Sequence, residues 1–347
     1  MALLNQPNYE NDVYNLVNNL EKSQWTYLPN FSQIKDLPII GRNDLRNLDL
    51  RNEFGHSKTS GSTGEPVIVG KTYRDLIWYA ATSVREFRWL KWDVTKTIAI
   101  IKPGGKKEVL KGWGIPESIE RFQGLRFTND LLPISQLQTW LEEVNPHYIH
   151  CFPSVFKQLD TSKISNFIAW KGTGELGGLC YSSEECGIIA LKCPDNPKVY
   201  HVMENQLVEK DHDGALIITT LSNKFIKRYK HGDHIELGEC HCGRKLQTIT
   251  EIKGRVRNMM ILPNGDKKWP QIGSLEFESF GIKRFKMIQH KVDRFELQII
   301  SEPLLEKEIE LIQLIKQRIG FECDIKLNYI YEFDDYKFEE FVSKLIK

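Results

Sequence analysis

The sequence predicts an α/β protein with a large N-terminal α/β domain of mixed sheets and a small C-terminal α+β domain. Three observations carry this. Helix-spaced and strand-length apolar segments alternate from Tyr73 to Trp170, short strands and polar turns take over beyond Tyr181, and the C-terminal part has a strand–strand–helix–strand pattern of its own.

Taken in order, Val13, Leu16, Val17 and Leu20 at helical spacing predict a first helix, followed by irregular structure punctuated by Pro29 and Pro38. The run from His56 to Pro66 is too polar for a core and leads into the strand-like Val67-Ile68-Val69. Tyr73–Trp92 is aromatic-rich with helical spacing, and Thr97–Ile101 reads as a buried strand ended by Pro103-Gly104-Gly105. A second helix–strand unit runs from Ile134–Val144 to Tyr148–Phe152, and Phe167–Trp170 opens a third strand. Later come the strand-length Ala215–Leu221 and the turns Asp211-His212-Asp213-Gly214 and Pro263-Asn264-Gly265-Asp266. At the C-terminal end Phe285–His290 and Phe295–Ile300 predict strands, Leu304–Ile319 a helix, and Asp324–Phe333 a strand before a short terminal helix. Gly254-Arg255-Val256-Arg257 interrupts the apolar pattern, which sets the expected domains at 1–255 and 256–347.

The chain has 347 residues, 41% hydrophobic and 27% charged, with 47 Lys+Arg against 46 Asp+Glu. A formal charge of +1 gives no bulk attraction to nucleic acid or anionic lipid. No apolar run reaches the ~18 residues of a membrane-spanning helix, and the first residues lack the basic and apolar stretches of a secretory signal. The expectation is a cytoplasmic protein that acts on neither nucleic acid nor membrane. Its seven cysteines, an odd number spread along a large chain, suit reduced thiols or metal ligands better than a disulfide framework.

Four groups of residues bear chemistry. In Thr59-Ser60-Gly61-Ser62-Thr63-Gly64 the glycines let backbone N–H groups converge on an anion while hydroxyls add donors, so the run reads as a phosphate cradle or as a polar turn. It is not the lysine-terminated phosphate loop, because Glu65 follows Gly64. Glu184-Glu185 offers a carboxylate for Mg²⁺ beside a triphosphate, unless both acids are simply solvated. In Arg228-Tyr229-Lys230-His231-Gly232-Asp233 an acid after glycine can accept from ribose hydroxyls while basic residues face phosphates; the alternative is a charged turn. Cys193, His201, Cys240 and Cys242 have the ligand types of tetrahedral Zn²⁺, although Cys240-His241-Cys242 is not the usual C-x₂-C spacing and ordinary buried thiols remain the other reading.

In this order, Thr59–Pro66, Tyr181–Ala190, Arg228–Asp233 and Gly254-Arg255 resemble the signatures of adenylate-forming enzymes, nearest to the phenylacetate–CoA ligase family and its capsule-biosynthesis relatives. Supporting matches are Leu37-Pro38-Ile39-Ile40, Asn145-Pro146 with Phe152-Pro153-Ser154, Gly174-Glu175, and Cys193-Pro194 through His201 to Glu209. The resemblance implies the adenylate-forming enzyme fold, with a mobile C-terminal domain and a zinc-binding subregion over 186–245. It implies that Thr59, Ser60, Gly61, Ser62, Thr63 and Gly64 grip ATP phosphates and that Glu185 ligates Mg²⁺. Gly174, Glu175 and Tyr181 would line the adenine pocket, Asp233 would hold the ribose, and Arg228 and Arg255 would lie near the nucleotide. Lys337, in Asp335-Tyr336-Lys337-Phe338, matches the setting of the family's catalytic lysine, with Lys344 its rival. Structural zinc on Cys193, His201, Cys240 and Cys242 is implied too, with His241 pointing away and Cys186 lining the pocket.

The implied activity is an ATP- and Mg²⁺-dependent ligase that converts a small carboxylic acid to an acyl-adenylate and passes the acyl group to a thiol. Coenzyme A is the favoured acceptor, with an acyl carrier protein or an amine as alternatives. A nucleotidyl transferase that leaves AMP on its product, and a catalytically degenerate nucleotide-binding relative, are the other readings; the oligomeric state is open, a homodimer included. The chain departs from the pattern at several points. Only five residues separate Glu175 from Tyr181, Ser182 and Glu184 replace a glycine and a hydroxyl residue, Arg257-Asn258 stand where the family has acids, and Tyr336 replaces a glycine. Trp78, Tyr79, Trp113, Phe152 and Trp170 are read either as acyl-pocket lining or as core.

Overall fold

A computed structural model describes residues 8–32, 34–41, 44–45, 48, 55–58, 68–102, 105–115, 119, 122–130, 132, 134–172, 178–255, 260–265, 267–268, 277, 280–282, 284–305, 307–331 and 341–345. The chain divides into two compact units, one of residues 1–231 with 235–252 and one of 232–234 with 253–347.

The first unit opens with α1 (Tyr9–Ser23), whose Val13, Val17 and Leu20 are buried as their spacing requires. Each such burial contributes about 1.5–3 kcal/mol. Strands β1 (Gly55–Lys58) and β2 (Ile68–Lys71) pair antiparallel, Lys58 opposite Ile68, so they flank the hydroxyl- and glycine-rich run. Helix α2 (Tyr73–Leu90) begins at a reciprocal cap: the Asp75 N–H donates to Thr72 Oγ1 at 3.2 Å and the Thr72 N–H to Asp75 Oδ2 at 2.8 Å. The Asp75 carboxylate also accepts from Ser222 and Asn223, which fixes the helix start against a distant loop. Thr72→Ala is expected to cost about 1 kcal/mol in urea unfolding.

A five-stranded sheet of β3 (Ile98–Ile101), β4 (Glu108–Lys111), β5 (Leu125–Asn129), β6 (Tyr148–Cys151) and β7 (Ala169–Gly172) runs in the order β4-β5-β3-β6-β7. All of its pairs are parallel except β4 with β5. Alternate residues serve opposite faces. Ile98, Ile100, Tyr148 and Ala169 pack with α1 and α2, whereas Ala99, Ile101, Ile149, Cys151 and Trp170 pack with α3 (Ile134–Val144). Trp113 belongs to the first of these cores and Trp170 stacks on Phe156 in the second, so both serve packing; Tyr79 is exposed.

A seven-stranded sheet follows, built from β8 (Cys180–Ser183), β9 (Gly187–Lys192), β10 (Tyr200–Val202), β11 (Gln206–Lys210), β12 (Ala215–Thr220), β13 (Tyr229–Gly238) and β14 (Thr248–Arg255) in the order β11-β12-β13-β14-β10-β9-β8. Residues 37–40 join it through Ile40, whose N–H donates to Arg228 O and whose carbonyl accepts from Lys230 N.

The second unit holds the hairpin β15 (Met260–Ile261) and β16 (Lys267–Lys268), and a sheet of β17 (Arg284–Lys291), β18 (Arg294–Ile300), β19 (Asp324–Tyr329) and β20 (Phe341–Ser343), ordered β19-β18-β17-β20. Helix α4 (Lys307–Ile319) covers it with Leu311, Ile315 and Ile319. One expectation is corrected here: the described chain end forms a strand, not a helix. Phe341 and Ser343 are buried with Val342 between them half-exposed, and β20 fills the edge of β17, where Ser343 Oγ donates to the buried Gln289 at 3.0 Å. Three residues are too few to show a period in the sequence. Among the described residues no helix is long and apolar enough to cross a membrane.

Candidate functional site

The ligand-bearing atoms of Cys193, His201, Cys240 and Cys242 all lie within 4.8 Å of one another. Two connections and one strand of the same sheet bring them together. Cys193 follows β9 and donates its N–H to Val199 O, His201 sits mid-strand in β10, and Cys240 and Cys242 lie in the β13–β14 turn, where Gly243 takes a φ of +88°. Cys193 Sγ is 3.9 Å from Cys240 Sγ, and His201 Nε2 is 3.2 Å from Cys242 Sγ. A tetrahedral zinc with Zn–S of about 2.3 Å and Zn–N of about 2.0–2.1 Å separates its ligands by roughly 3.8 Å (S···S) and 3.6 Å (N···S), so this donor set fits that ion in type and spacing. His201 is fully buried, and its Nδ1 faces the hydroxyl of its cross-strand partner Thr248 at 3.5 Å, leaving Nε2 toward the sulfurs.

The surroundings tune these donors. Burial lowers the His201 imidazole to about 4, with Arg244 and Arg85 adding to the effect against Asp195. Burial raises the Cys193 thiol to about 11. At Cys242 burial acts in the same direction, but the Arg244 N–H groups, Cys240 and Cys193 override it and hold the thiol below its usual value. Arg244 is itself fixed by Asp195 at 2.5 Å and Gln24 at 3.0 Å, and lies over the rings of Trp25 and Trp89. His241 is exposed.

The Glu185 turn joins β8 to β9 and is held from two sides. Lys71 Nζ, at the end of β2, donates to the carbonyls of Glu184 (2.7 Å) and Glu185 (3.0 Å), which ties the hairpin flanking residues 59–67 to this turn. The fully buried Gln206 donates to the carbonyls of Cys186 and Ile188 and accepts from Thr220. The Glu185 residue is 4% exposed, and burial raises the Cys186 thiol to about 12. Tyr181, half-buried on β8, meets the His231 ring edge-on at 6.1 Å. Neither Lys71 nor Gln206 stood out in the sequence, since a lysine ending a strand and a glutamine starting one carry no local signal.

Arg228 lies just ahead of β13. Its guanidinium grips Glu209 through Nε (3.1 Å) and Nη2 (3.2 Å) while Nη1 donates to the carbonyls of Lys35 and Leu37, so it fastens residues 35–37 to the strand that carries Asp233. Asp233 is buried within β13. Arg255 ends β14, its side chain undescribed. Thr59, Ser60, Gly61, Ser62, Thr63, Gly64, Gly174, Glu175 and Lys337 lie outside the described residues. The ends of the 173–177 segment are pinned, Leu179 N–H donating to Gly172 O and Tyr200 OH to Gly178 O.

No protein-family model and no curated protein matches the sequence. Solved structures do. 2-Hydroxyisobutyryl-CoA ligase in the postadenylation state, in complex with 2-HIB-AMP, matches with a TM-score of 0.67 at 14% identity over 97% of this chain and 89% of that one. The same ligase with 2-HIB-AMP and CoA in the thioesterification state gives 0.52 at 14% identity over 96% and 88%. Anthranilate CoA ligase AuaEII in complex with anthranoyl-AMP gives 0.55 at 13% identity over 81% and 63%. The mixed α/β architecture of this chain is therefore the fold of these ligases.

Proposed function

We propose that the chain is an AMP-forming acid–thiol ligase of the phenylacetate–CoA ligase kind, which activates a small carboxylic acid with Mg-ATP and transfers the acyl group to coenzyme A. The observation that carries this reading is the fold match over 97% of the chain to a ligase whose structure holds an acyl-adenylate. The motif order agrees with it, and Lys71 links the two motifs expected to meet at the phosphates.

In this reading the backbone N–H groups and hydroxyls of Thr59–Gly64 hold the ATP phosphates and the buried Glu185 carboxylate ligates the nucleotide's Mg²⁺. The grip of Lys71 and Gln206 on the backbone carbonyls of the turn keeps that carboxylate in place. Gly174, Glu175 and Tyr181 take the adenine and Asp233 the ribose, with Arg228 acting by orientation of its strand. Lys337 supplies positive charge to the pentacoordinate α-phosphate as the substrate carboxylate attacks and pyrophosphate leaves. The resulting mixed anhydride gives a carboxylate the leaving group that it lacks, and the thiol then displaces AMP. Cys193, His201, Cys240 and Cys242 would hold zinc, which cross-links the β9, β10 and β13–β14 connections and takes no part in the reaction.

Pyrophosphate release measured with Mg-ATP and pooled aliphatic and aryl acids tests this. Release is expected to require an acid and to fall roughly 10²–10³-fold in Lys337→Ala, the size of losing one charge-stabilising donor. Free AMP with an acyl thioester supports the ligase; AMP attached to the product supports nucleotidyl transfer; ATP binding without release for any acid supports the degenerate relative.

A further inference from the structure

The five-stranded sheet carries a row with buried polar atoms that the reaction above leaves unused. Register aligns Thr128 with Ile100, Ile100 with His150, and His150 with Lys171, one residue before the carboxyl end of each strand and on the α2 face. Below this row that face is apolar, with Ile98, Tyr148 and Ala169 packed under the helix. From α2, Glu86 reaches down so that its Oε2 accepts from Lys171 Nζ at 2.5 Å, the two side chains being 4% and 7% exposed. Burial draws the Lys171 ammonium down, but the Glu86 carboxylate and the neighbouring Cys180 and Tyr79 outweigh it and keep the group charged. Burial, Lys171 and Lys102 hold His150 neutral.

Three atoms in this row are buried without a hydrogen-bond partner among the described residues: Glu86 Oε1, His150 Nε2 and Thr128 Oγ1. Folded proteins leave few such atoms, and a carboxylate oxygen is among the costliest to leave. The carboxyl ends of parallel strands are also where open α/β sheets receive ligands.

Resting on the ligase reading, we propose that Glu86 and His150, braced by Lys171, receive a hydroxyl group on the body of the acid, making the substrate a hydroxylated carboxylic acid. Charge selects this class. Glu86 and Lys171 cancel and His150 is neutral, so a second carboxylate meets the Glu86 anion and a substrate ammonium meets the Lys171 cation. A hydroxyl both donates and accepts, toward Glu86 Oε1 and from a ring or ammonium N–H. Thr128, two strand spacings or about 10 Å from His150, lies beyond reach of the same hydroxyl.

The test uses three matched pairs of acids: 4-hydroxyphenylacetate and phenylacetate, salicylate and benzoate, 3-hydroxybutyrate and butyrate. Binding to the intact wild-type protein is read by calorimetry and pyrophosphate release is read on the same samples. In at least one pair the hydroxylated member is expected to bind roughly 10- to 100-fold tighter. His150→Leu, and the charge-balanced double variant Glu86→Gln with Lys171→Met, should abolish that preference, so that the hydroxylated and the plain member of the pair bind alike. Lack of binding by every hydroxylated member, equal affinity within every pair, or a preference that survives in both variants overturns the inference. A hydroxyl preference without acid-dependent pyrophosphate release leaves the inference standing and removes the ligase reading; pyrophosphate release with no preference does the reverse.

Discussion

Replacing Cys240 and Cys242 together by serine is expected to reduce bound zinc from about one equivalent to none and to lower the melting temperature by on the order of 10 °C or more. The size follows from the construction of the site. Structural zinc in small peptides contributes on the order of 10 kcal/mol of folding free energy at pH 7. Here the four donors join the β9–β10 connection, strand β10 and the β13–β14 turn of the seven-stranded sheet, so their loss frees all three together. Elemental analysis and thermal melts of the wild type, the double variant and His241→Ala provide the check, with the exposed His241 expected to change neither quantity. Folded wild-type protein that contains no zinc, with a melting temperature indifferent to a chelator, would sink the idea.

The same site gives a pH dependence whose sign is fixed. His201 ionises near 6.5 in an unfolded chain and is lowered to about 4 in the fold. The stability that comes from its neutral form is complete above pH 6.5 and is lost as the pH falls through that value toward 4, an amount on the order of 3 kcal/mol. Protonation also removes Nε2 as a ligand, so metal release on acid titration is expected in this window. A metal content and an acid-release profile that are the same in His201→Ala as in the wild type would show that His201 is not a ligand.

Arg85→Met is expected to destabilise the protein by roughly 3–5 kcal/mol in urea unfolding. The Arg85 residue is 1% exposed, and its guanidinium forks onto Glu204 at 2.6 and 3.0 Å while donating to Leu20 O. Glu204 accepts a further bond from Ser23 Oγ at 2.6 Å. Removal of the arginine strands a carboxylate that is also buried, whereas removal of both partners, as Arg85→Met with Glu204→Leu, should recover most of the loss. A single variant as stable as the wild type, or a double variant no better than the single, contradicts this. The pair matters because Arg85 and Glu86 are consecutive on α2 and each enters a buried ion pair, one toward Glu204 beside β10 and one toward the parallel strands. Trp89, one turn on, stands between Arg85 and His201. One helix thus braces the Cys193–His201–Cys240–Cys242 cluster and the polar row together.

Much of this architecture is periodic and therefore local. The spacing of Val13, Val17 and Leu20, the helix Ile134–Val144 and the strands over 98–101 and 148–151 follow from which face each residue turns to the core, which a few neighbours suffice to reveal. Ligand types at Cys193, His201, Cys240 and Cys242 were legible for the same reason, as chemistry written on single residues.

What the fold alone decided is what depends on register and on long sequence separation. Cys193, His201, Cys240 and Cys242 meet in space because β10 pairs with β14 at His201 and Thr248 and the turns beside them converge. Arg228 fastens Glu209 and residues 35–37, Lys71 reaches the Glu185 turn from the end of another hairpin, and Glu86 finds Lys171 across 85 positions. The sequence determined the elements, their order and the reactive groups. The tertiary structure decided which of those groups are buried together, because an ion pair, a ligand set or an unpartnered carboxylate exists only once strands far apart in the chain have fixed their alignment.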